Sequence, residues 1–79
     1  MASIGIIKDC VTGILEWLKS DLQTDLEWTI KTQELELCLV EINSRRLPAV
    51  LYIEAMLVAM WSRNRRRAFD SGVSALAEL

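Results

Sequence analysis

Apolar residues recur every three or four positions at the start of the chain. Ile4, Ile7, Val11, Ile14 and Leu18 form one stripe, broadened by Cys10, Leu15 and Trp17, while Lys8, Asp9, Thr12, Glu16 and Lys19 face away from it. That period predicts an amphipathic helix over about 4–20. Gly5 and Gly13 weaken it, since glycine is a poor helix former, and Gly13 reads as tolerated rather than required. Ser20 to Gln23 reads as a connection. Thr24-Asp25-Leu26-Glu27 then matches a capping box, in which the threonine hydroxyl accepts a first-turn amide and the glutamate reaches back to the cap N–H. Asp25 and Glu27 suit the positive end of a helix dipole and Arg45-Arg46 the negative end. These signals predict a second helix over about 25–46, with Leu35, Cys38, Leu39 and Ile42 facing inward and Trp28 two turns earlier.

The same stretch carries a competing pattern. Leu26, Trp28 and Ile30, then Leu35, Leu37 and Leu39, alternate with mostly polar neighbours at period two, and Thr29, Ile30, Thr32, Val40 and Ile42 are β-branched. This is a strand signature, and an α-β-β-α fold is the alternative it suggests. A hairpin would have to turn near Lys31-Thr32-Gln33, which holds no Gly, Pro, Asn or Asp, so the helix is preferred.

Leu47-Pro48 breaks the chain, and proline suits the first turn of a new helix. A third helix is expected from about 48 to 69. Its stretch from Ala49 to Trp61 is apolar on nearly all sides, and Ala55 with Ala59 leaves a smooth groove for close helix contact. Asp70-Ser71-Gly72 is expected to end it, leaving 70–79 as a tail that frays or adds one short turn. Tyr52 and Glu54 are its polar features, with Glu54 expected at the edge of the core or paired across an interface. The fold class read from this pattern is all-α: a helical hairpin or three-helix bundle, one domain over 1–79. With 52% hydrophobic residues in 79, the bundle is expected to be completed by a second copy. Leu51, Ala55, Leu57, Val58, Ala59 and Trp61 are the candidate dimer interface.

Composition narrows the function classes. The chain has no histidine, no glycine-rich phosphate loop and only two cysteines, Cys10 and Cys38, set among apolar residues. Nothing around either cysteine suggests a lowered pKa, both are expected reduced and buried, and no metal or cofactor is expected. An enzyme is not indicated. Paired carboxylates such as Glu34/Glu36 read as a solvated face. Trp17, Trp28 and Trp61, one to each predicted helix, read as core or interface anchors. No signal peptide is evident, and no apolar run is long enough to cross a bilayer. The expected setting is intracellular and soluble, cytoplasmic with the nucleus as the alternative.

Charge supplies the sharpest feature. Residues 1–44 hold three lysines against eight carboxylates, whereas 45–67 hold all six arginines against Glu54 alone. The net charge of −2 therefore hides an acidic body with a basic end. Arg63, Arg66 and Arg67 would share one face of a helix, flanked by Arg65, and arginine forks pair bidentately with phosphate or carboxylate. Three uses compete: offsetting a helix C-terminal dipole, contacting a duplex backbone, or docking to an acidic protein, a membrane surface or an import receptor. The candidate nucleic-acid-binding residues are Lys31, Arg45, Arg46, Arg63, Arg65, Arg66 and Arg67. An antiparallel dimer would let Arg45 and Arg46 extend the surface.

The run Pro48-Ala49-Val50-Leu51-Tyr52-Ile53-Glu54, following a helix that ends in Arg45-Arg46, resembles the nodavirus B2 proteins. These are dimeric helical suppressors of RNA silencing. The resemblance implies sequence-independent binding of double-stranded RNA along paired long helices, with Lys31, Arg45 and Arg46 as the carried-over candidates. This chain departs from that pattern in its acidic second helix and its longer, more apolar third helix. The runner-up function is a protein-interaction adaptor docking through that third helix.

Overall fold

A computed structural model describes residues 4–79; the first three positions of the 1–79 domain lie outside the described residues. Four helices follow in order: α1 (Ile4–Leu18), α2 (Asp25–Asn43), α3 (Ala49–Trp61) and α4 (Arg65–Glu78). Among the described residues there is no strand, so the α-β-β-α alternative is not adopted.

Each helix packs on its neighbour in sequence, and α4 closes the ring against α1. Neighbours run antiparallel. Trp17 meets Trp28 edge to face at 4.8 Å between α1 and α2, Arg63 beyond α3 reaches Asp25 at the start of α2, and Arg65 at the start of α4 reaches the end of α1. The core is built from Ile7, Val11, Ile14 and Leu18 of α1, Leu35 and Ile42 of α2, and Ile53, Met56 and Met60 of α3. The α1 stripe expected from the sequence is thus buried, apart from a half-buried Ile4.

The capping box at α2 forms as expected. Glu27 N–H donates to Thr24 Oγ1 at 3.1 Å, and Thr24 N–H donates to Glu27 Oε1 at 2.8 Å. The Thr24 N–H donated to the carboxylate favours its ionised form and holds the Glu27 pKa below its ordinary value. The helix stops at Asn43, three residues before the expected end, and Arg46 turns to φ 53°.

The third predicted helix, 48–69, is instead two helices. Arg63 takes φ 55°, Asn64 N–H donates to Ala59 C=O at 2.9 Å, and Arg63 N–H to Met60 C=O at 3.1 Å. This is a Schellman ending, with arginine where glycine is usual. Asn64 then caps the next helix through Oδ1, which accepts from Arg67 N–H at 3.1 Å. The expected tail 70–79 is most of α4. Gly72 does not end a helix; it sits buried inside one. An added Cβ there would lie 2.7 Å from the Leu15 side chain and 3.0 Å from that of Met56. Ala68, Gly72 and Ala75 form a small-residue stripe that lets α4 settle between α1 and α3.

Candidate functional site

The break after α3 redistributes the arginine run. Because Arg63 is left-handed, its side chain leaves the helix axis and folds back over α2. Its Nη1 donates to Asp25 Oδ1 at 2.8 Å, and its guanidinium stands 5.5 Å above the Trp28 ring. Arg65 turns the other way, to the C-terminus of α1. Its Nε donates to Leu18 C=O at 2.6 Å and an Nη to Ser20 C=O at 2.9 Å. Gln23 Nε2 meets the same carbonyls and that of Trp17 at 3.0–3.2 Å. A cation belongs at this negative helix end, whose last carbonyls lack intrahelical partners. Two of the four clustered arginines therefore serve the fold.

Arg66 and Arg67 remain exposed. Arg66 makes only a loose 3.7 Å contact with Asp70, and Arg67 has no side-chain ion pair with another described residue. They occupy the first turn of α4, not a helix C-terminus as the dipole-offset reading requires. Cations at a helix N-terminus oppose its dipole, so neither charge is favoured by the helix end it occupies. Arg45 and Arg46 sit beyond the far end of α3, separated from them by about 20 Å of helix at 1.5 Å per residue. Lys31 lies mid-way along α2, 3.7 Å from Glu34. The seven predicted contact residues thus fall into three places within one copy.

The predicted interface on α3 divides as well. Leu57 and Ala59 are buried in the bundle's own core and are not available to a partner. Leu51, Ala55, Val58 and Trp61 face outward, and Trp61 is 60% exposed with Nε1 donating to Glu36 at 3.3 Å. Trp61 is therefore not a core anchor, whereas Trp28 is buried and Trp17 half-buried. Glu54 is exposed.

Two features escaped the sequence. The first is a second apolar stripe on α2, Leu26, Ile30, Leu37 and Val40, on the side opposite its core face; the last two are 70% and 71% exposed. The second is the meeting of Cys10 and Cys38 across α1 and α2. Both are free thiols, Cys38 buried and Cys10 partly so. A hydrogen bond from Cys38 lowers the Cys10 pKa, and the role of donor together with burial raises that of Cys38. No local pattern could signal this, because the partner that shifts each thiol lies 28 positions away along the chain. Beside the pair, Ile6, Asp9, Glu34, Leu37 and Glu41 line a groove of about 450 Å³. A smaller cleft of about 230 Å³ between α2 and α3 is bordered by Arg63, Trp61 and Glu36. No helix among the described residues is long and apolar enough to cross a membrane, and no group of three metal-ligating side chains forms among them.

The chain matches no protein-family model, and neither characterised proteins nor solved structures are significantly similar to it. The likeness of Pro48–Glu54 to the B2 proteins accordingly rests on those residues and the helix before them.

Proposed function

We propose that this chain is a non-catalytic, self-associating helical adaptor that works inside the cell, with the outward face of α3 holding a second copy. The observation that carries this is the exposed apolar row of Leu51, Val58 and Trp61 on a bundle whose own core is already closed. Exposed Ala55 at its centre lets two helices approach closely, and Glu54 is the only charge on α3. Free thiols at Cys10 and Cys38 suit a reducing compartment. Sedimentation equilibrium tests the reading: the wild type is expected to be a dimer, and Leu51→Asp with Val58→Asp a folded monomer. A wild-type monomer of 9.0 kDa at micromolar concentration overturns it.

A second reading, binding of a duplex nucleic-acid backbone, is favoured by the placement of Arg66 and Arg67. An antiparallel α3 pair centred on Ala55 sets Arg46 of one copy beside Asn64 of the other. Arg45 and Arg46 of one copy then join Arg66 and Arg67 of the other in one basic patch, repeated at both ends of the dimer. Double-stranded RNA is the duplex this reading favours, in the manner of a silencing suppressor. Its test is a gel shift on duplex RNA and DNA of about 25 base pairs, longer than one double-stranded-RNA-binding module covers. Replacing Arg66 and Arg67 by glutamine should flatten the slope of log K against log salt by roughly 0.9 for each phosphate that is no longer neutralised. No shift at low salt ends this reading.

A further inference from the structure

The groove between α1 and α2 joins two properties that point to one kind of occupant. Its floor is apolar, made by buried Ile7 of α1 and Cys38 of α2 beside Cys10, and the exposed side chains of Ile6 and Leu37 extend it outward. Its volume, about 450 Å³, falls within the range of pre-formed binding clefts, roughly 300–1,000 Å³. Its rim is acidic, with Asp9 on α1 and Glu34 and Glu41 on α2. Glu34 and Glu41 are seven apart, so they repeat on the same side of the Leu26, Ile30, Leu37 and Val40 stripe; Glu27 precedes them at the same interval. Of these, Glu34 has a lysine near it, Lys31 at 3.7 Å, and α2 as a whole carries five carboxylates against that single lysine.

A second copy is a poor occupant. If two α2 stripes met antiparallel about Gln33, Glu34 would approach its own counterpart; met in parallel, Glu36 would approach Glu41. Like charges flanking a helix seam disfavour pairing. An anionic membrane surface is repelled for the same reason. The matching ligand is a helix with apolar residues at alternating spacings of three and four, and lysine or arginine on either side of them.

We infer that the α1/α2 groove is a docking site for a basic amphipathic helix of another protein. Its apolar residues cover Leu37, Ile6 and the outer α2 stripe, and its cations pair with Asp9, Glu34 and Glu41. This rests on the adaptor reading, yet the two fail separately. Dimerisation is tested at Leu51 and Val58 by sedimentation, and the groove by ligand titration.

The probe is a fluorescein-labelled helical peptide of Leu, Lys and Ala, about 18 residues or 27 Å long to match α2. It carries Leu at the seam and Lys on the flanks, and a twin carries Glu in place of every Lys. Fluorescence anisotropy should show binding of the Lys peptide that weakens with salt, and none of the Glu peptide. Leu37→Ser, and separately Glu34→Gln with Glu41→Gln, should each weaken Kd about tenfold or more, as removal of an anchor does. Asp21→Asn with Glu78→Gln, exposed acids elsewhere, should leave it unchanged. Amide shifts in a ¹⁵N-labelled sample should centre on Ile6, Cys10, Leu37 and Glu41. Equal binding of the Glu peptide, an unmoved Kd in Leu37→Ser, or shifts centred on α3 or α4 would overturn the proposal. So would loss of the dimer in Leu37→Ser, which would assign the groove to a second copy. Far-UV circular dichroism of each variant keeps misfolding from being mistaken for weakened binding.

Discussion

The two faces of α2 are built from the same chemistry and meet opposite fates. Trp28, Leu35, Cys38 and Ile42 are buried, whereas Leu26, Ile30, Leu37 and Val40, at the same helical spacing, face outward. Because the stripes oppose each other, the apolar residues of α2 favour neither side of the helix. Only neighbours decide which stripe is core: α1 and α3 cover one, and among the described residues the other stays exposed. An apolar pattern thus shows that a surface seeks cover, without saying whether the cover belongs to the same chain.

Pairs of like residues, one turned inward and one outward, test that lesson. The largest contrast is expected between Leu35 and Leu37. Leu35→Ala should lose roughly 2–5 kcal/mol of unfolding free energy, because it leaves a cavity in a closed core. Leu37→Ala should stay within about 0.5 kcal/mol, as exposed substitutions do. Urea unfolding measures both, and comparable losses would mean that the outer stripe is already covered in the isolated protein.

Next come Arg65 and Arg67. Arg65→Ala removes two charge-assisted hydrogen bonds and leaves the Leu18 and Ser20 carbonyls to Gln23 alone, which should cost about 1–2 kcal/mol. Arg67→Ala should raise stability by a few tenths of a kcal/mol, since it removes a cation from the positive end of α4. Opposite signs in the same thermal scan are the expected outcome; equal losses would give Arg67 a structural role.

Gly13 and Gly72 form a finer pair. A Cβ at Gly13 meets nothing within 4 Å, whereas one at Gly72 presses on the Leu15 and Met56 side chains. Gly13→Ala should stabilise by about 0.5–1 kcal/mol through helix propensity alone. Gly72→Ala should gain less or lose, because those side chains must shift. Chemical denaturation of both variants ranks them.

The smallest effect concerns rate alone. Thiolate is the reactive form, so the lowered pKa and partial exposure of Cys10 should make iodoacetamide label it before Cys38 at pH 8. The order of modification in peptide mass spectra checks this, and Cys38 reacting first would contradict the arrangement of the pair.

Local chemistry was legible wherever it acted over a few residues. The α1 stripe, the capping box at Thr24 and the break at Pro48 each depend on spacings of four or less, and each appears in place. The strand-like alternation in 26–39 is misleading for an instructive reason. Leu26, Ile30 and Leu37 belong to the outer stripe and Trp28, Leu35 and Leu39 to the inner one, so two opposed helical stripes interleave into a false period of two. The break at Arg63 is hidden because a Schellman turn ordinarily advertises itself by glycine; Asn64, a good cap residue, is its local sign. Without that break, the segment that forms α4 reads as a tail, although Ala68, Gly72, Ala75 and Leu79 repeat at helical spacing.

Composition and periodicity by themselves determined that this chain is helical, where its second helix begins, and that it carries more apolar surface than one small bundle can hide. Tertiary structure alone decided which leucines are core, which arginines are committed to capping and stacking, and that two cysteines distant in sequence share one groove. The reason is range. Caps and helical periods are settled by backbone groups within one or two turns. The side chosen by Leu35 over Leu37, or by Arg65 over Arg67, is settled by helices that arrive from elsewhere in the chain.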